Sequence, residues 1–210
     1  VSIFWAILLG VPLGCFNAIY QGSLSDKISG IITVSFIAIP PFVVALYSML
    51  IFAVTLKWLP AIGVGEAGNI GSKISHLILP SITVGLGWVG YLARLVRSSM
   101  LEVLKENHVR TARAYGISEI IIILHYVLRI AILPTITLLG TGIGILFSSS
   151  VFAEIVFSRP GIGKLIYESV INRNYPVVMG AVLITSTLFV ITTTLSDIIN
   201  AILDPRIISK

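Results

Sequence analysis

The sequence predicts an all-α polytopic membrane protein. It has about five transmembrane helices and a helical cytoplasmic loop between the third and fourth. Three observations carry the prediction. The 210 residues are 56% hydrophobic and 11% charged, with a mean hydropathy of +1.03, whereas a soluble domain carries about 25% charged residues. Several apolar runs reach the roughly 20 residues that an α-helix needs to cross a bilayer. The charges are also clustered, with six of the fourteen Lys and Arg residues lying between Arg94 and Arg129. A transmembrane barrel would show alternating segments of about ten residues, and these runs do not alternate.

The first expected span is 1–20. The second is 31–54, with Pro40 and Pro41 in its middle. Each proline removes a backbone donor and crowds the preceding turn. A break at membrane depth either lines a cavity or kinks the helix for packing, and both readings stand. The third span is 76–93, with Pro80 near its start. The fourth is 130–157, entered through Pro134, and the fifth is 176–201. The whole chain, 1–210, reads as one transmembrane domain.

The connections alternate between two sides. Segments 21–30, 94–129 and 204–210 together hold nine Lys and Arg, and the other side holds five: Lys57, Lys73, Arg159, Lys164 and Arg173. Positive charge marks the cytoplasm. The 94–129 loop and the C-terminus are therefore expected inside, and the N-terminus outside. The chain starts at Val1 with no charged region before its first apolar run. A signal peptide is not expected, and the topology implies a further span upstream. The net charge of +5 reads as the cationic bias of membrane-protein loops, not as a nucleic-acid surface. Cys15 is the single cysteine, which excludes an internal disulfide and a cysteine-based metal site. His76, His108 and His125 have no metal-like spacing.

No catalytic constellation emerges, so the chain is not expected to be an enzyme. Gly140, Gly142 and Gly144 lie inside a span, where small residues let helices approach. Gly161-Ile-Gly-Lys164 resembles the end of a phosphate loop. However, Ser158 stands where the first glycine is needed and Leu165 replaces the Ser or Thr that would hold magnesium. This chain has no recognisable site to bind or split ATP. Glu154 and Asp197 are the acids in or near spans, and an intramembrane acid is a functional candidate by default. Both sit near span ends, where capping is the competing role. Ser148, Ser149 and Ser150 either line a pore or bond back to a helix.

The 94–129 loop reads as two helices and a break. Residues 98–115 are rich in helix formers, Gly116 is placed to stop the helix, and Ser118 to cap the next one with Glu119 in its first turn. Thr111, Ala112 and Ala114 give a slim face that fits a groove on another protein, with Arg110 and Arg113 reaching acidic rims. An ordinary solvated loop is the competing reading.

Thr111-Ala-Arg-Ala-Tyr-Gly116, followed by Ile-Ser-Glu119 and by Val127-Leu-Arg-Ile-Ala-Ile-Leu-Pro134, resembles the coupling loop of type I ABC importer permeases. The general pattern there is Glu-Ala-Ala, three residues, Gly, nine residues, Ile-x-Leu-Pro. Here Arg110 and Thr111 replace the Glu and first Ala, and Tyr126 and Arg129 replace the Ile and Pro. Ala112, Gly116 and Leu128 remain. The Arg-Thr-Ala-Arg-Ala-x-Gly form is similar to the dipeptide, oligopeptide, nickel and glutathione group. Phe157 to Leu165, Asn174-Tyr-Pro-Val-Val178 and Leu203-Asp-Pro-Arg-Ile207 agree with the first of the two permeases in such systems, here without that family's N-terminal span.

The resemblance implies a heterodimer with a second permease in a bacterial or archaeal cell membrane. It also implies two cytoplasmic ATPase subunits, which hold the ATP and magnesium, and an extracytoplasmic solute-binding protein. It assigns Arg110, Thr111, Ala112, Arg113, Ala114 and Gly116 to ATPase contact, and Gly63–Gly71 and Arg159–Lys164 to the binding protein. Pro40, Pro41 and Glu154 are the candidates for the transport path. A stand-alone secondary transporter or channel is the alternative. It predicts charge pairs in mid-span, which the sequence lacks. A membrane-anchored assembly factor is a third.

Overall fold

The computed structural model describes residues 1–203, with the side chains of residues 143, 144, 147, 148, 200 and 203 excluded. The expected cytoplasmic tail 204–210 and the Ser148 side chain thus lie outside the described residues.

Helix α1 (Ser2–Ile19) carries Pro12 and no charged residue. Helix α2 (Leu24–Ala38) starts at Ser23, whose hydroxyl accepts the Asp26 N–H at 3.2 Å. Helix α3 (Pro41–Ser48) has Pro41 in its first turn, where the missing donor costs nothing, and runs into a π-helical turn at Met49–Thr55. The expected second span is therefore two helices, bent by 98° at the Ile39–Pro40 junction. The prolines turn the chain there because Pro41 cannot bond back into α2.

Helix α4 (Ile70–Val103) is a single helix of 34 residues, longer at both ends than the expected 76–93. After a turn at 104–106 comes α5 (Asn107–Ala114). A short α6 (Glu119–Ile121), a π segment (Ile122–Val127) and α7 (Leu128–Ala131) lead into α8 (Leu133–Val156). Helix α9 (Ile162–Ile171) and α10 (Tyr175–Leu203) follow. Among the described residues no strand occurs. Four helices are long and apolar enough to cross a membrane, and the bent pair α2–α3 makes a fifth if it counts as one span.

The core is built around α4, which α1 covers most extensively and α2 next. Small residues set these distances. A Cβ at Gly14 of α1 would strike Ala93 O and the Val96 side chain, and a Cβ at Gly90 would strike Thr33 O of α2. Trp5 of α1 donates its indole N–H to Ser81 O at 3.2 Å. Exposed apolar side chains such as Ile31, Ile32 and Val34 on α2, and Met179 and Leu183 on α10, suit a lipid or protein environment rather than water.

Candidate functional site

The structure offers three groupings: the loop helix α5, a cavity at the α2–α3 bend, and a polar cluster at the opposite end of the bundle from α5.

Helix α5 is shorter than the expected 98–115, because α4 continues through Val103 and the chain turns before α5 begins. The turn lets α5 fold back on the end of α4. Val96, Met100 and Val103 of α4 pack with Val109 and Ala112 of α5, with Ile122 and Val127 beyond it, and with Ala18 of α1. Burying a Val, Met or Ile side chain from water contributes about 1.5–3 kcal/mol each, so this apolar face fixes where α5 lies. The slim face of Thr111, Ala112 and Ala114 divides accordingly. Ala112 is 4% exposed and faces inward, whereas Arg110, Thr111, Arg113, Ala114 and Gly116 are exposed. Ala112, expected to share that slim face with Thr111 and Ala114, is turned inward in the structure. It sits three residues from Val109, on the same helix face.

Gly116 ends the helix with φ +75, a left-handed conformation that costs other residues strain. Its N–H reaches Arg113 O at 2.9 Å, and the Ile117 N–H reaches Ala112 O at 3.3 Å. Ser118 stands at the start of α6 but its side chain makes no capping bond. Instead Arg113 crosses the break, with Nε donating to Glu119 Oε1 at 2.6 Å and Nη2 to Oε2 at 3.3 Å. Among the described residues Arg110 forms no ion pair, so on α5 it is the exposed cation that faces outward unpaired. At the start of α5, His108 Nδ1 lies 3.0 Å from Glu106 Oε2.

The cavity at the α2–α3 bend has a volume of about 220 Å³ and is lined by Phe36, Ile37, Pro41, Trp88, Tyr91 and Leu138 among others. Pro41 reaches it, and Pro40 stands at the bend itself, exposed. The bend at Pro40 and Pro41 thus borders a cavity. Glu154 lies apart from it.

Glu154 stands in the last turn of α8, at the end of the bundle away from α5. Its Oε2 accepts the Lys164 N–H at 2.9 Å, and Ser150 Oγ lies 3.2 Å from its Oε1. This places a carboxylate over the first turn of α9, where backbone donors and the helix dipole favour a negative charge. Gly161 makes room for it, since a Cβ there would collide with the carboxylate, while a Cβ at Gly163 would first strike Val151. Arg159 Nη1 donates to Gly63 O at 3.2 Å and to His76 O at 3.0 Å, and the Gly63 N–H donates to Phe157 O at 3.0 Å. The glycine-rich loop and the 158–164 turn therefore form one connected surface. Sequence reasoning paired neither Glu154 with Lys164 nor Arg159 with Gly63, because local spacing does not report contacts between separate loops.

A further pair was missed. Asp26 and Arg97 form a two-pronged ion pair that links α2 to α4. The positions stand 71 residues apart, and no pattern in the chain joins them.

The comparisons fit this geometry. Residues 10–209 match the family described as "Binding-protein-dependent transport system inner membrane component". A putative peptide permease of Brucella ovis is 38% identical over 205 residues, covering 96% of this chain and 64% of that protein. The glutathione transport system permease protein GsiC of Salmonella typhi is 36% identical over 206 residues, covering 98% of this chain and 65% of that protein. The chain thus spans just under two thirds of the length of these relatives. The fold is shared with a chain of the inward-facing MetNI methionine ABC transporter, at TM-score 0.77 and 18% identity, covering 97% of this chain and 90% of that one. With a family match across nearly its whole length, this chain belongs to the inner membrane components of binding-protein-dependent transport systems.

Proposed function

We propose that the chain is a transmembrane permease subunit of an ATP-driven ABC importer. It contributes the translocation path for di- or oligopeptides, or for a related small solute such as glutathione or nickel. The observation that carries the reading is α5, an eight-residue helix held on its inner face by apolar packing, with Arg110, Thr111 and Ala114 turned outward. An exposed helix seated on the end of a 34-residue helix is a handle through which a separate protein can move the spans.

In this reading α5 docks in a groove of a cytoplasmic ATPase subunit. A second permease completes the path, and a solute-binding protein meets the surface of the glycine loop and the 158–164 turn. ATP and magnesium belong to the ATPases. The α5 end is cytoplasmic and the α9 end faces outward, in a bacterial or archaeal cell membrane. Two conformations of the spans must differ in affinity for the closed ATPase pair, because a ligand shifts an equilibrium only through such a difference. The relatives named for peptide and glutathione transport support the solute class.

The test is reconstitution of the chain with the ATPases, second permease and binding protein encoded beside it, followed by uptake of labelled dipeptides, oligopeptides, glutathione and nickel. ATP-dependent accumulation of one of these solutes is expected. Accumulation driven by an ion gradient without ATP would overturn the reading.

A further inference from the structure

We propose that the Asp26–Arg97 ion pair is the strut that makes α2 follow the coupling helix, so that both are positioning residues of the transport cycle. This inference rests on the permease reading above, in which α5 receives the motion of the ATPases.

The strut is well built. Arg97 Nε donates to Asp26 Oδ1 at 2.7 Å, and Nη2 donates to Oδ2 at 2.8 Å. The Gly22 N–H also donates to Oδ2, at 3.0 Å. Asp26 is only 5% exposed. Beside it the Ser29 hydroxyl donates to Asn17 Oδ1 at 2.6 Å, which ties the start of α2 to the end of α1. A forked guanidinium on a carboxylate fixes both distance and orientation. With Asp26 buried and the Arg97 side chain a third exposed, the pair is a poor way to gain stability, since apolar residues of like volume do as well or better. What it supplies is a contact that cannot slide, unlike the apolar packing elsewhere on α4.

Its place in the chain gives that property a use. Arg97 lies six residues before the end of α4 at Val103, about 9 Å along a helix that rises 1.5 Å per residue. Between them Met100 and Val103 meet Val109 and Ala112 of α5. At the far end of α2, Phe36 and Ile37 line the cavity at the proline bend. A contiguous path therefore runs from α5, through α4 and the ion pair, into α2 and the cavity wall.

Besides the ion pair, α2 is held by packing on α4 and by the Ser29–Asn17 hydrogen bond to α1. Its outer face is exposed at Ile31, Ile32 and Val34, and its packing partners are α4 and, to a smaller extent, α1. The two helices approach closely where a Cβ at Gly90 would strike Thr33 O. That close crossing acts as a pivot, and the ion pair fixes the angle about it. With the pair intact, a displacement near Val103 carries α2 with it. With the pair broken, α2 is freer to turn about that crossing, and the part of the cavity wall it contributes, Phe36 and Ile37, no longer follows α5 closely.

The experiment uses the assembled importer in proteoliposomes, with uptake and ATP hydrolysis measured on the same vesicles. Asp26→Asn keeps the side-chain shape and an oxygen for the Gly22 N–H. Arg97→Lys keeps the charge and loses the fork. Both variants are expected to retain the ATPase subunits and hydrolyse ATP, while solute moved per ATP falls roughly tenfold, within the range typical of a coupling between sites. A purely structural role would lower the amount of complex and leave that ratio unchanged. Parent-like solute per ATP in either variant that assembles overturns the inference. If Asp26→Asn fails to assemble, Arg97→Lys decides alone. Failure of the parent chain to bind ATPases or to transport is a separate result, and it removes the permease reading together with the strut.

Discussion

The two ends of the bundle hold their loops by different forces. At the α5 end, position depends on an apolar cluster. Val109 and Ala112 press on Met100 and Val103, the Arg113–Glu119 pair at the end of α5 is exposed, and the buried Asp26 carboxylate ties α2 rather than α5 to α4. At the α9 end, polar bonds are added to apolar packing around Phe157 and Leu79: Glu154 holds the Lys164 N–H, and Arg159 holds two carbonyls. Apolar packing tolerates small shifts of one surface over another, whereas a carboxylate set on a helix start is directional. The α5 end thus suits an element that must move with a partner, and the α9 end suits a platform that must keep its shape while another protein lands on it.

Four substitutions probe that contrast, from the largest expected effect to the smallest. Ala112→Leu forces three more carbons into the apolar cluster, and overpacking costs about 1–3 kcal/mol. Because α5 can only yield by lifting off α4, uptake is expected to be lost and ATPase co-purification to fail. Normal uptake with this variant would show that the seat of α5 is not what positions the dock. Glu154→Ala removes the acceptor over α9, and leaving that part-buried donor unpaired costs up to about 1–3 kcal/mol. A lower melting midpoint is expected, with ATPase binding intact, since the loss is confined to the other end. Failed ATPase binding in that variant would mean the ends are not independent.

Gly116→Val places a β-branched residue at φ +75, at a cost of order 1–3 kcal/mol, in a site with open space around it. Thermal melting should show a modest destabilisation, and uptake should fall less than with Ala112→Leu. Glu119→Ala breaks the exposed pair with Arg113. Such pairs contribute about 0–1 kcal/mol and weaken further in salt, so a shift larger than that would reveal a role beyond the pair.

The class of the fold was legible in the sequence because hydropathy acts over whole segments. Gly116 was legible because a left-handed helix stop has its own residue preference. The start of α5 was not. Met100, Leu101, Glu102, Leu104 and Lys105 are all good helix formers, and nothing local marks the turn at 104–106. That turn is set by tertiary packing, which rewards folding Val109 and Ala112 back on α4. The sharpness of the proline bend was similarly hidden, because a proline pair announces a break but not its angle. Asp26, Arg97 and the partners of Glu154 were out of reach for the same reason: each contact joins elements that the chain order keeps apart. Ser118 shows the converse, with a suitable residue in the right place and its expected bond unmade because Arg113 and Glu119 bridge the break instead.

The most direct measurement is site-specific crosslinking of α5 to the ATPase subunits in membranes, with Cys15→Ser as background. A cysteine at Thr111 or Ala114, on the outer face, should crosslink to an ATPase. A cysteine at Val109, on the buried face, should not. Crosslinking from Val109 but not from Thr111 or Ala114, or from none of the three, would contradict the assignment of α5 as the docking helix.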